Sequence, residues 1–94
     1  MVQEGHLLAI FNSAHRVMKA ESMLKSRGLP ILLIPAPRQL QTDCGLAIRF
    51  HKDNRSDVMA VLKLEKLLPE FISRFEAGSF VTIWNLADHA EHEP

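Results

Sequence analysis

Four short segments limit what this chain can fold into. HLLAIF (residues 6–11), ILLI (31–34) and FVTIWNL (80–86) are apolar runs too short for stable helices, each bounded by turn formers. In the fourth, Leu46, Ile48 and Phe50 alternate with Ala47, Arg49 and His51, which gives a strand one apolar face. Between the first two runs, Ala14, Val17, Met18 and Leu24 recur at helical spacing behind an Asn12-Ser13 cap. Gly28 stops that helix and Pro30 prevents its return.

A second helix is expected after the polar turn at residues 51–55, with Ser56 as its cap and Val58, Val61, Leu62 and Leu68 near one face. Pro69 kinks it or begins a new helix, and Phe71, Ile72 and Phe75 continue the apolar face until Gly78. The order is then β-α-β-β-α-β. This is the pattern of an α+β, ferredoxin-like sandwich, with a four-stranded antiparallel sheet and two helices on one face. Residues 1–86 make one domain. The remainder, ADHAEHEP (87–94), reads as a polar, disordered tail.

That topology makes a geometric prediction. A right-handed crossover sets the first two strands parallel, with the third antiparallel between them. The start of the first helix and the loop PAPRQLQTDCG (residues 35–45) then meet at one edge of the sheet. The loop ends in the only cysteine, Cys44, which would lie near a helix N-terminus. Free N–H groups and a partial positive charge there lower a thiol pKa. Arg38 or protonated His15 adds to this, Asp43 opposes it, and Gly45 leaves room for a bulky group to approach. The other reading is structural: Cys44 shares the parity of Leu46, Ile48 and Phe50, and a regular strand would turn its thiol toward the core.

Composition narrows the function classes. Eleven basic and eleven acidic residues cancel, so no overall field draws the chain to nucleic acid or an anionic membrane. The paired strand aromatics that stack RNA bases are missing. One cysteine forbids an intrachain disulfide and C-x-x-C redox chemistry. No apolar run approaches the roughly 20 residues that span a bilayer. MVQEGHLLAIF lacks the basic-then-apolar pattern of a signal peptide, so a cytoplasmic setting is expected. His89 and His92 form an H-x-x-H pair, too few ligands for a metal site by themselves. No nucleotide or cofactor signature is present, and none is expected to be bound.

Three stretches carry a family resemblance: FNSAHRVMKAE (11–21), LIPAPR (33–38) and CGLAIRF (44–50). In this order they resemble the small bacterial selenium/sulfur carrier-like domains, which also occur fused to sulfur-carrier modules. The similarity runs from about Leu7 to about Leu64. It implies that Cys44 accepts sulfur or selenium as a persulfide or selenosulfide and hands it to a partner protein. It further implies that Pro35, Pro37 and Arg38 shape the loop, that Gly45 gives access, and that Ser13 and His15 belong to the neighbouring helix start. Ala36 and Asp43 depart from the family's usual threonine and serine. Asp43 puts a negative charge beside the thiol. The implied partners are a cysteine desulfurase or similar donor and an acceptor protein, with a homodimer through an edge strand also possible in this topology. Such a chain is a carrier rather than a turnover enzyme. The competing function is a regulatory or protein-interaction domain with a structural cysteine.

Overall fold

A computed structural model describes residues 2–90 and shows an α+β domain built on one antiparallel sheet. Strand β1 (His6–Ile10) leads into helix α1 (Ala14–Ser26), then strands β2 (Ile31–Pro35) and β3 (Leu46–His51). A 3-10 turn at Lys52–Asn54 enters helix α2 (Arg55–Leu64). Strands β4 (Phe71–Glu76) and β5 (Ser79–Asn85) follow, then a single helical turn, α3 (Ala87–Ala90). Residues 91–94 of the expected tail, including His92, lie outside the described residues. Among those described, no helix is long and apolar enough to cross a membrane.

The sheet order is β2-β3-β1-β4-β5, with every neighbouring pair antiparallel. β3 lies between β1 and β2, which therefore run the same way, as the sequence predicts. β1 is the middle strand. Its side chains are buried on both faces, which is why it reads as a continuous apolar run rather than an alternating one. Leu7, Ala9, Ile48, Phe50 and Ile72 face the helices and meet Val17, Ala20 and Leu24 of α1 and Val58 and Leu62 of α2. Leu8, Ile10, Ile34 and Ala47 form a second cluster on the opposite face, against Ala36, Leu40, Phe71 and Phe80.

Three features correct the sequence reading. The sheet has five strands, not four, because the segment expected to extend the second helix is instead strand β4. α2 ends at Leu64, where Lys66 takes a left-handed φ of 59°. The Lys66 N–H then donates to Lys63 O at 3.2 Å and the Leu67 N–H to Leu62 O at 2.8 Å. These two bonds close a Schellman motif, with buried Leu67 as its apolar partner. The Arg16 side chain donates to Lys66 O and Leu68 O, both at 3.4 Å, and ties this connection to α1. Gly78 does not stop a helix. Ala77 (φ 51°) and Gly78 (φ 81°) form the two-residue turn of the β4–β5 hairpin, where both central residues need positive φ. The start of α2 is also two residues earlier than expected. Asn54 occupies the cap position and Ser56 is already inside the helix.

Ile72 is fully buried beneath the helices and pairs with both Ala9 and Trp84. Ile72→Ala should cost about 2–5 kcal/mol in urea unfolding, the usual penalty for a large-to-small core change; a helical segment here would leave this side chain a smaller role.

At the other end of β1, the His6 imidazole is held below its ordinary 6.5 by burial first, then by Arg49 and His51. Its Nδ1 accepts the Gln3 N–H at 2.9 Å. The unfolded chain therefore takes up this proton more readily than the folded one. The stability linked to neutral His6 is complete above pH 6.5 and lost as pH falls through the lowered folded value. His6→Gln should flatten that fall in a series of urea midpoints taken from neutral to acidic pH.

Candidate functional site

The loop between β2 and β3 is tied at its base and within itself. Pro35 ends β2 opposite Leu46, and the Ala36 N–H donates to Gly45 O at 2.9 Å. Pro37 O accepts the Leu40 N–H at 3.0 Å, closing a turn that holds Arg38. The Gly45 N–H donates to Thr42 Oγ1 at 2.9 Å. Gly45 sits at φ +72° with open space where a Cβ would stand, so its requirement is conformational rather than steric.

Cys44 precedes it, half-buried, and packs against the helix-side core. Its parity with Leu46 carries through, as the structural reading of the sequence predicts. Sγ lies 3.4 Å from Phe11 O and 3.3 Å from Leu46 O. Both partners are acceptors, so the sulfur meets them as an S–H donor, one at a time. Phe11 stands two residues before Ser13, which caps α1 by accepting the Arg16 N–H at 3.1 Å. The expected meeting of cysteine loop and helix start is therefore present through Phe11. His15 is exposed on the first turn of α1, and no contact joins it or Arg38 to the thiol among the described residues.

On the other side of the strand ends lies an open cleft of about 820 Å³. Its apolar floor includes Ile10, Phe11, Leu40 and Phe71, and its polar lining includes Arg38, Thr42, Asp43 and Glu70. Pro37 and Gly45 also line it; Cys44, Ser13, His15 and Pro35 do not. The anticipated site residues thus divide between two places: a thiol facing the helix side, and a cleft behind it. Glu70 and Phe71 were not legible as site residues, because their segment reads as helix. The backbone fixes Glu70 firmly: its N–H donates to Ile10 O at 2.7 Å and its carbonyl accepts the Leu86 N–H at 2.9 Å.

A family model described as "Putative Se/S carrier protein-like" matches residues 6–74. The chain belongs to this family. The matched region of this Se/S carrier-like chain takes in the Cys44 loop, both long helices and β4 up to Arg74. It stops short of β5. No curated protein and no solved structure matches the chain. No three His, Cys, Asp or Glu side chains come together as a metal site among the described residues. His89 instead stacks on Trp84, with ring centroids 5.1 Å apart and planes 16° from parallel.

Gly45→Ala should destabilise the chain by about 1–2 kcal/mol, the cost of a left-handed non-glycine residue, even though the methyl group meets nothing. Gly45→Asn should cost less in the same unfolding measurement, because asparagine tolerates this conformation. Equal losses for both would mean that the position rejects side chains by contact.

Proposed function

We propose that this chain is a sulfur or selenium carrier that works through Cys44. The observation that carries this reading is the family match together with a single, half-exposed thiol in the loop just ahead of β3. The Cys44 thiolate attacks the terminal sulfur of a donor persulfide, R–S–SH. An S–S bond forms at Cys44 and the donor's S–S bond breaks. The donor leaves as a thiolate and takes up the proton that Cys44 gave. Delivery is the same exchange in reverse, with a nucleophile on the acceptor attacking the terminal sulfur and Cys44 leaving. No outside oxidant enters at either step. Selenium follows the same course as a selenosulfide. A lone cysteine suits the task, since a second one nearby would resolve the persulfide to a disulfide and discharge it early. The donor is a cysteine desulfurase or a protein of similar chemistry, and a reducing compartment keeps the thiol ready between cycles.

Specific contacts favour a second reading. Sγ points to two main-chain carbonyls and touches the core, which is how a structural cysteine sits. In that case the chain is a regulatory or interaction domain and its working surface lies elsewhere.

One experiment separates the two. Reduced protein is incubated with a cysteine desulfurase and cysteine, then examined by mass spectrometry and peptide mapping. The carrier gains the mass of one sulfur atom on the Cys44 peptide, loses it to added thiol, and gains nothing as Cys44→Ser. Alkylation of Cys44 that proceeds only after unfolding, with no added sulfur, establishes the structural cysteine instead.

A further inference from the structure

The 820 Å³ cleft carries charges of both signs over an apolar floor. Arg38 lines it from the loop, and Asp43 and Glu70 line it with carboxylates. Among the described residues these groups are not paired with one another. Among the described residues, Lys25–Glu21, Arg27–Glu65, His51–Asp53 and Arg74–Glu76 form ion pairs, and no hydrogen bond engages the Arg38 guanidinium or the Glu70 carboxylate. The supports of the two charges are braced independently. Arg38 sits on the Pro37–Leu40 turn of a loop closed at its base, and Glu70 is held by backbone bonds to β1 and to Leu86. The floor is supplied by half-buried Leu40 and Phe71, backed by buried Ile10, the ladder partner of Phe71. This open cleft falls in the size range of small-ligand sites, with polar groups prominent in its lining.

We propose that this cleft binds a small zwitterion with an apolar body. The Arg38 guanidinium takes the carboxylate of the ligand through charge-assisted bonds, Glu70 takes its ammonium group, and the side chain lies over Leu40 and Phe71. A free apolar amino acid and a short apolar peptide share this chemistry. The site does not depend on the carrier reading, because Cys44 does not line the cleft.

The test is titration of the intact chain with L-leucine and with the dipeptide L-leucyl-L-leucine, followed by calorimetry and by backbone amide shifts. Saturable binding of either zwitterion, with shifts concentrated at residues 36–43 and 70–71, is the expected result. The stronger of the two ligands identifies the source as free amino acid or peptide. Arg38→Gln and Glu70→Gln, both at exposed positions, should each weaken that binding about tenfold or more. N-acetyl-leucine and leucinamide, each lacking one charge, should lose a similar factor. Cys44→Ser should bind as the parent does, so loss of carrier activity and loss of this site are told apart. The proposal is overturned if neither zwitterion binds at millimolar concentration, if the blocked analogues bind as well as the parents, or if neither Gln substitution changes the affinity.

Discussion

The central strand β1 carries hydrogen bonds along both edges and buried side chains on both faces, and the remaining elements take their positions from it. Its four core residues split by parity. Leu7 and Ala9 receive the two long helices, while Leu8 and Ile10 anchor the second cluster on the far face. A strand so placed cannot slip by one residue without exchanging the two sets, so its register is strongly fixed. β3 and β4 align to it directly, and β2 and β5 attach outside them.

The candidate site is a consequence of where that strand ends. Ile10 O accepts the Glu70 N–H and Phe11 O lies against the Cys44 sulfur. Two successive carbonyls point toward opposite neighbouring strands, so one holds the segment that leads into β4 and the other meets the loop that leads into β3. Ser13 then starts α1, and Arg16 of its first turn reaches across to Lys66 O and Leu68 O, just ahead of buried Pro69 and the cleft residue Glu70. The start of one helix therefore helps to place a carboxylate more than fifty residues away in sequence.

How much of this was legible in the sequence turns on a comparison between two helix ends. α1 and α2 close with the same Schellman motif. In α1 the left-handed residue is Gly28, whose N–H donates to Lys25 O, while the Leu29 N–H donates to Leu24 O. Glycine announces that ending, and the boundary was read correctly. In α2 the left-handed residue is Lys66, which carries no such signal, so the apolar positions of Leu68, Phe71, Ile72 and Phe75 read as the continuation of a helix. The residues of β4 also fail to alternate cleanly. Ile72 and Ser73 are both buried because this strand, too, is covered on both faces near its start. The hairpin turn was hidden for a related reason: its first left-handed position is Ala77, not the asparagine that would have marked it. The loop-to-helix-start meeting was legible because it follows from topology alone. The cleft was not, since half of its wall comes from the misread segment.

The division between thiol and cleft has a mechanistic consequence. Cys44 does not line the cleft, and its sulfur lies against the Phe11 and Leu46 carbonyls, so the two places offer separate surfaces. Yet the two places share a hinge. Thr42 and Asp43 line the cleft, the Thr42 hydroxyl holds the Gly45 N–H, and Cys44 lies between them. The Thr42 hydroxyl is therefore part of both the cleft wall and the turn that holds Gly45. Cleft and thiol are thus chemically separate but joined through one side-chain hydrogen bond.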